Sequence, residues 1–188
     1  MSTEPVFMPW PKIARLNRGI IITEKLDGSN AAVGILEDGA VYAQSRSRIL
    51  SPGKGTDNFG FASWVNDKQE ELREALGVGL HFGEWWGVGI QRGYGLHERR
   101  FSLFNVRRHR LVPFNGMGLP NVGVVPVLYE GPFGQEPIDR ALLELSRLGS
   151  FASPGFMNPE GIVAFFQSSS TMYKVTLDGD DAPKGATS

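Results

Sequence analysis

A β-branched run that halts at a charged turn sets the terms for this chain. Gly19-Ile20-Ile21-Ile22-Thr23 leads into Glu24-Lys25-Leu26-Asp27-Gly28-Ser29-Asn30, and a second apolar run, Ala31-Ala32-Val33-Gly34-Ile35-Leu36, follows. β-Branched residues at this density read as a buried strand. Asp27-Gly28 is a turn signal, since Gly tolerates positive φ and Asp bonds its own backbone. The expected product is two strands joined by a tight turn, with Lys25 at a strand end. A lysine so held is a nucleophile wherever its surroundings disfavour the ammonium form. Taken alone, Lys-x-Asp-Gly is also an ordinary hairpin tip.

The rest of the chain repeats the strand theme. Ala40–Ser45 reads as a third strand, continued by Arg46-Ser47-Arg48, and Ser51–Gly55 as a loop without the spacing of a phosphate cradle. Phe61 through Leu76 has helical spacing with charges opposite, and Gly77 ends it. Val78–Trp86 and Phe101–Val106 read as strands, and Val122–Tyr129 as an edge strand because of Pro126. Gly87–Gly95 is a glycine-rich loop that opens no helix, so it is not a dinucleotide fingerprint. Pro137–Leu148 is an amphipathic helix, and Gly161–Phe166 with Thr171–Leu177 forms a terminal hairpin. Pro9-Trp10-Pro11 reads as an extended segment laid on the domain. The expected class is α+β, antiparallel sheets with flanking helices. Residues 1–178 form one domain in this reading and 179–188 a loose polar tail.

Composition narrows the function classes. The 188 residues are 41% hydrophobic and 21% charged, as in ordinary globular domains, and include no Cys, which removes disulfides, cysteine zinc sites and thiol nucleophiles. No signal pattern opens the chain and no apolar run reaches membrane-spanning length, so a cytoplasmic protein without membrane contact is expected. The formal charge is −1, so any nucleic-acid binding requires a local patch. Arg99, Arg100, Arg107, Arg108 and Arg110 offer one, or else a charged strand edge. His81, His97 and His109 have no metal spacing and read as surface or packing residues.

Charged residues recur at the ends of apolar strands: Lys25, Arg46, Glu84, Glu160 and Lys174. The structural reading pairs Glu84 and Glu160 with Arg46 and Lys174. The chemical reading takes the set together, as cations, carboxylates and a lysine suited to phosphoryl or nucleotidyl transfer with a metal. Phe82 and Phe101 read as core, while strand alternation sends Phe104 to the face opposite Phe101.

A family resemblance joins these residues. Lys25-Leu26-Asp27-Gly28 resembles the nucleophile motif of covalent nucleotidyltransferases, the DNA ligases, RNA ligases and mRNA-capping enzymes. Ser45-Arg46, Phe82-Gly83-Glu84, Phe101–Val106, Glu160-Gly161-Ile162-Val163 and Tyr173-Lys174-Val175-Thr176 resemble their later motifs, in the same order. Glu24 through Asn30, and Phe82-Gly83-Glu84 followed by Gly87-Val88-Gly89-Ile90-Gln91, are most similar to the RNA ligase 2 type. The resemblance implies the nucleotidyltransferase (ATP-grasp-like) domain of polynucleotide ligases. It implies an ATP-dependent RNA ligase that forms lysyl-AMP, passes AMP to a 5′-phosphate end and seals to a 3′-hydroxyl.

The implied roles are specific. Lys25 is the nucleophile, Lys174 and Glu160 are catalytic, and Glu24, Asn30, Arg46, Glu84, Phe104 and Lys174 hold the nucleotide. Glu160 and Glu84 place Mg²⁺ or Mn²⁺, and Gln91 is a further candidate. The implied partners are ATP and nucleic-acid ends, RNA more than DNA. Thr176 departs from the pattern, which carries a second lysine there. The chain also ends just after its last motif, so the resemblance points to a catalytic-domain-only member in which a partner protein replaces the missing C-terminal domain. The alternatives are a GTP-using capping-type transferase and a nucleotide- or nucleic-acid-binding module with weak or no sealing.

Overall fold

A computed structural model describes residues 7–10 and 19–178. Among these residues ten strands are arranged in two sheets. The smaller has the order β10-β9-β1-β8, formed by β1 (Gly19–Lys25), β8 (Val127–Pro132), β9 (Gly161–Phe166) and β10 (Thr171–Thr176). The larger has the order β4-β3-β2-β5-β6-β7. Its strands are β2 (Ser29–Ile35), β3 (Val41–Ser45), β4 (Ile49–Leu50), β5 (Gly79–Gly87), β6 (Arg99–Leu103) and β7 (Val122–Val124). All pairings are antiparallel except β6 with β7. The α+β class with antiparallel sheets and flanking helices holds.

Three apolar clusters build the layers. Helices α1 (Phe61–Asp67) and α2 (Gln69–Leu76) bury Phe61, Val65, Leu72 and Leu76 against Val33, Ile35, Trp85 and Phe101 of the larger sheet. Helix α4 (Gln135–Leu148) buries Ala141 and Leu145 against Ile20, Ile22 and Ile162 of the smaller sheet. Ile21, Leu26, Trp86, Tyr94 and Val125 pack between the sheets. Because β1 contributes alternate residues to two clusters, both its faces are buried, which is why its sequence is continuously apolar.

Several expectations change. β1 and β2 are not a hairpin: Asp27-Gly28 carries the chain from one sheet to the other. The helix expected from Phe61 to Leu76 breaks at Lys68 (φ −116°, ψ 24°), after Asn66-Asp67, whose side chains compete for backbone bonds. The strand expected over Val122–Tyr129 divides around Pro126 into β7 and β8, each at an edge of its own sheet. After Leu103 the chain forms a short helix, α3 (Val106–His109), capped by the Asn105 side chain. Arg46-Ser47-Arg48 is a tight turn closed by Ser45 N–H to Arg48 O, not an extended continuation. Trp10 is 89% exposed, so it is not laid on the domain; Pro11 and the tail at 179–188 fall outside the described residues.

Candidate active site

The two sheets part on one side of Lys25 and leave a cavity of about 380 Å³ between them. Register explains its walls. On the smaller sheet, Ile21 pairs Phe165, Thr23 pairs Val163 and Lys25 pairs Gly161; across β9 the same rows continue to Met172, Lys174 and Thr176. Side chains two apart on a strand share a face. Ile21, Thr23, Lys25, Val163, Phe165 and Met172 accordingly line the cavity. Phe104 and Val106 close it from the larger sheet's side, and Asn30 and Glu84 form its polar end. Phe104 is 40% exposed while Phe101 is fully buried, as alternation predicts.

The polar end is tightly bonded. Lys25 Nζ donates to Glu160 Oε2 at 2.5 Å, with both side chains mostly buried. Glu84, 6% exposed, accepts from Gly28 N–H on Oε1 (3.0 Å) and from Asn30 Nδ2 on Oε2 (2.8 Å). Burial pushes the Glu84 carboxyl up to about 7, against those hydrogen bonds and the Lys25 charge, which pull it down. The structural pairing of Glu84 with Arg46 and of Glu160 with Lys174 is therefore not what forms: the carboxylates turn to the Lys25 segment itself.

Gly28 is required here by proximity. Its φ is not positive, contrary to the turn reading, but a Cβ would lie 2.5 Å from Trp85 O and 2.8 Å from Trp86 Cβ. Only Gly lets this segment lie against β5 and reach Glu84. The glycine-rich stretch Gly87–Gly95 supplies a second hold. Tyr94, buried against Trp86 and Phe156, accepts from Asp27 N–H at 2.9 Å. Arg92 Nε donates to Asp27 Oδ2 at 3.0 Å, while its other nitrogens donate to Asn158 and to Asp178. Sequence reasoning marked this loop but missed Arg92 and Tyr94, because their partner lies more than sixty positions away.

The remaining candidates divide. Arg46 is exposed and lines a shallower recess of about 350 Å³ together with Lys25, Asp27, Asn30 and Glu84. Arg48 instead donates to Gly55 O, away from Lys25. Lys174 is exposed in the row between Lys25 and Met172. Glu24 departs from expectation. It alternates to the face of Ile20 and Ile22, and its carboxylate accepts from Phe151 N–H and Ala152 N–H on Oε2, although the residue still borders the cavity. Gln91 is exposed in a left-handed turn and lines none of these recesses. Phe82 is 53% exposed and is not core. His81 and His109 are buried against each other, their Nδ1 and Nε2 atoms 3.3 Å apart. The five arginines each have a partner: Arg107 and Arg110 meet Glu130, Arg100 meets Glu98, and Arg99 and Arg108 cap backbone carbonyls. That arrangement fits a tied strand edge better than a free phosphate patch.

Among the described residues no three His, Cys, Asp or Glu side chains cluster as a metal site. Glu160 still fits a hydrated divalent cation, since Mg²⁺ takes one or two carboxylates together with substrate phosphates and water. Glu84 fits that role poorly, because both its oxygens already hold donors and burial favours its protonated form. No helix among the described residues is long and apolar enough to cross a membrane.

Comparison with known folds agrees with this architecture. The chain is similar to Naegleria gruberi RNA ligase: an apo variant of that protein superposes with TM-score 0.61 at 22% identity, covering 85% of this chain and 49% of that one. The same ligase with pyrophosphate gives TM-score 0.61 at 22% identity, covering 86% and 50%. A variant with AMP and Mn gives 0.57 at 18% identity, again covering 86% and 50%. The chain thus spans about half the length of the ligase structures it matches. Comparison with curated proteins finds none that matches. The family profile described as RNA ligase matches residues 18–176, a span that runs from β1 to the end of β10 and contains every side chain of the cavity, so the chain belongs to the RNA ligase family.

Proposed function

We propose that this domain captures AMP from ATP on Lys25 and serves RNA end joining. One observation carries the reading: Lys25, paired to Glu160, lines a cavity between the two sheets whose wall on the larger sheet's side includes the exposed ring of Phe104. Phe104 and Val163 stand on opposite walls and suit the two faces of a purine, since any base offers a π-face to an aromatic ring. Asn30 and Glu84 at the polar end suit ribose hydroxyls. Arg46, at the mouth of the adjoining recess, and Lys174, one row from Lys25, suit phosphate oxygens.

Lys25 Nζ attacks the α-phosphorus, the N–P bond forms, and the α–β P–O bond breaks with its electron pair leaving on pyrophosphate. The attacking amine must shed a proton, and Glu160 is the acceptor within reach. A bound Mg²⁺ or Mn²⁺ would supply charge neutralisation on the phosphates, with Glu160 as its protein ligand. AMP then passes to a 5′-phosphate end, and a 3′-hydroxyl displaces it.

One observation favours weak sealing. Thr176 occupies the row of Lys25 and Gly161, where the family resemblance calls for a second lysine, and a hydroxyl supplies no positive charge. The test is intact mass after incubation with ATP and Mg²⁺, with GTP as comparison. Wild type gains one AMP and Lys25→Ala gains none. A wild-type protein that gains no nucleotide from either donor overturns the proposal.

A further inference from the structure

The larger sheet extends beyond the smaller one, and its inner face is left open next to the cavity. On β5 the inner-facing residues are Trp86, Glu84, Phe82 and Leu80. They pass from fully buried to 53% and 38% exposed as the covering sheet ends. Register places a row across this face: Gln44 opposite Ala32, Ala32 opposite Phe82, and Phe104 N–H bonded to Phe82 O. The next row toward Lys25 is Asn30 opposite Glu84, with Arg46 beside them. Ala32 is small, so it leaves the Phe82 ring uncovered. Neither Phe82 nor Phe104 stacks on another ring among the described residues. The resulting groove of about 450 Å³ runs directly into the nucleotide cavity, sharing Asn30, Phe104, Asn105 and Met172 with it.

We infer that this groove is a base-stacking subsite, in which the terminal unpaired base of a 5′-phosphorylated strand lies on Phe82. The inference rests on the proposed function for its substrate class. Its own grounds are separate. An exposed ring beside another exposed ring on an open sheet face is how single-stranded nucleic acid is held without sequence readout. The groove's walls are apolar, but Gln44 and the exposed Arg46 stand on the side next to the recess of Lys25, and a cation beside two open rings suits a base with a phosphate more than a protein helix. Arg46 lines this groove and the recess of Lys25 alike, so a phosphate bound there is within reach of both. A strand following this path would put its 5′-phosphate next to an AMP held on Lys25.

The experiment uses 5′-phosphorylated single-stranded RNA carrying 2-aminopurine at the terminal or at an internal position, titrated with wild type, Phe82→Ala, Phe82→Leu and Phe82→Trp. Melting curves check that each variant folds, as expected for an exposed position. Wild type quenches the terminal probe more than the internal one. Phe82→Ala and Phe82→Leu lose about tenfold or more in affinity along with that quench, whereas Phe82→Trp keeps both. Equal binding by Phe82→Leu overturns the inference, since it would make the contact merely apolar, as would unchanged quenching by Phe82→Ala. Dimerisation in sedimentation that Phe82→Ala abolishes, without RNA quenching, would assign the face to a second copy and overturn it too. Nucleotide capture is followed separately by intact mass of the wild type, so failure there counts against the proposed function and not against the groove.

Discussion

Replacing Glu84 with Gln turns the burial of one carboxyl into a pH-dependent change in stability. Burial lifts this carboxyl from its ordinary 4.5 to about 7, and at 6% exposure solvent does little to screen it. The folded protein therefore holds this proton more tightly than the unfolded chain does. Between pH 4.5 and 7 the folded state binds the extra proton, so stability falls as pH rises through that window. At 1.36 kcal/mol per unit, the loss is about 3 kcal/mol once pH exceeds 7. Gln does not titrate. It keeps one of the two acceptors, leaving Gly28 N–H or Asn30 Nδ2 without a partner, at about 1 kcal/mol at every pH. Glu84→Gln should then be about 1 kcal/mol less stable than wild type near the acid end and about 2 kcal/mol more stable at about pH 8. For a chain of this size the Tm difference runs from about −3 °C to about +6 °C, changing sign on the way. His81 and His109 act in the opposite sense. Burial pushes both down, His109 to about 4, so their contribution is lost as pH falls below 6.5. Both proteins carry those histidines, so the difference isolates Glu84. Ligand-free melts of the two across this range are the assay. A difference that stays constant with pH would refute burial as the force acting on Glu84.

Two further substitutions probe how the Lys25 segment is held. Arg92→Met removes the guanidinium shared by Asp27, Asn158 and Asp178, and should cost about 2–3 kcal/mol, a Tm fall of about 4–10 °C. AMP uptake should slow at temperatures where the variant is fully folded. Arg92→Lys should rescue little, because a point charge cannot serve three partners at once, and an unchanged uptake rate would remove Arg92 from the positioning of Lys25. Gly28→Ala drives a Cβ into Trp85 O, a backbone atom that cannot swing aside, and should cost about 1–3 kcal/mol and most of the AMP uptake. Gly123→Ala, with nothing within 4 Å, is the control and should melt within about 2 °C of wild type.

What the sequence discloses here follows the range of the forces involved. The strands are legible because β-branched runs and alternation are local, and for the same reason Phe104 is legible as facing away from the core that holds Phe101, while only the family resemblance pointed from there to a nucleotide. Glu24 was misassigned: the family resemblance put it with the nucleotide, although adjacent residues on a strand face opposite ways and a carboxylate next to Lys25 therefore points away from what Lys25 faces. Which sheet each strand joins was not legible. Asp27-Gly28 has the composition of a hairpin turn, and only the pairing of β1 with β8 and β9, and of β2 with β3 and β5, makes it a crossover between sheets. Phe82 failed for a related reason. Its spacing is that of a core residue, but the sheet that would bury it ends one row short. The same circumstance explains the placement of the site. Where two sheets of unequal width part, strand ends carry charged side chains into a space with apolar walls on two sides and open access on the third. Lys25, Glu84 and Glu160 meet there from three different strands or their flanks, so their chemistry depends on how Arg92, Tyr94 and Gly28 hold one turn against the larger sheet. A perturbation of that turn should therefore damage the site before it damages either sheet.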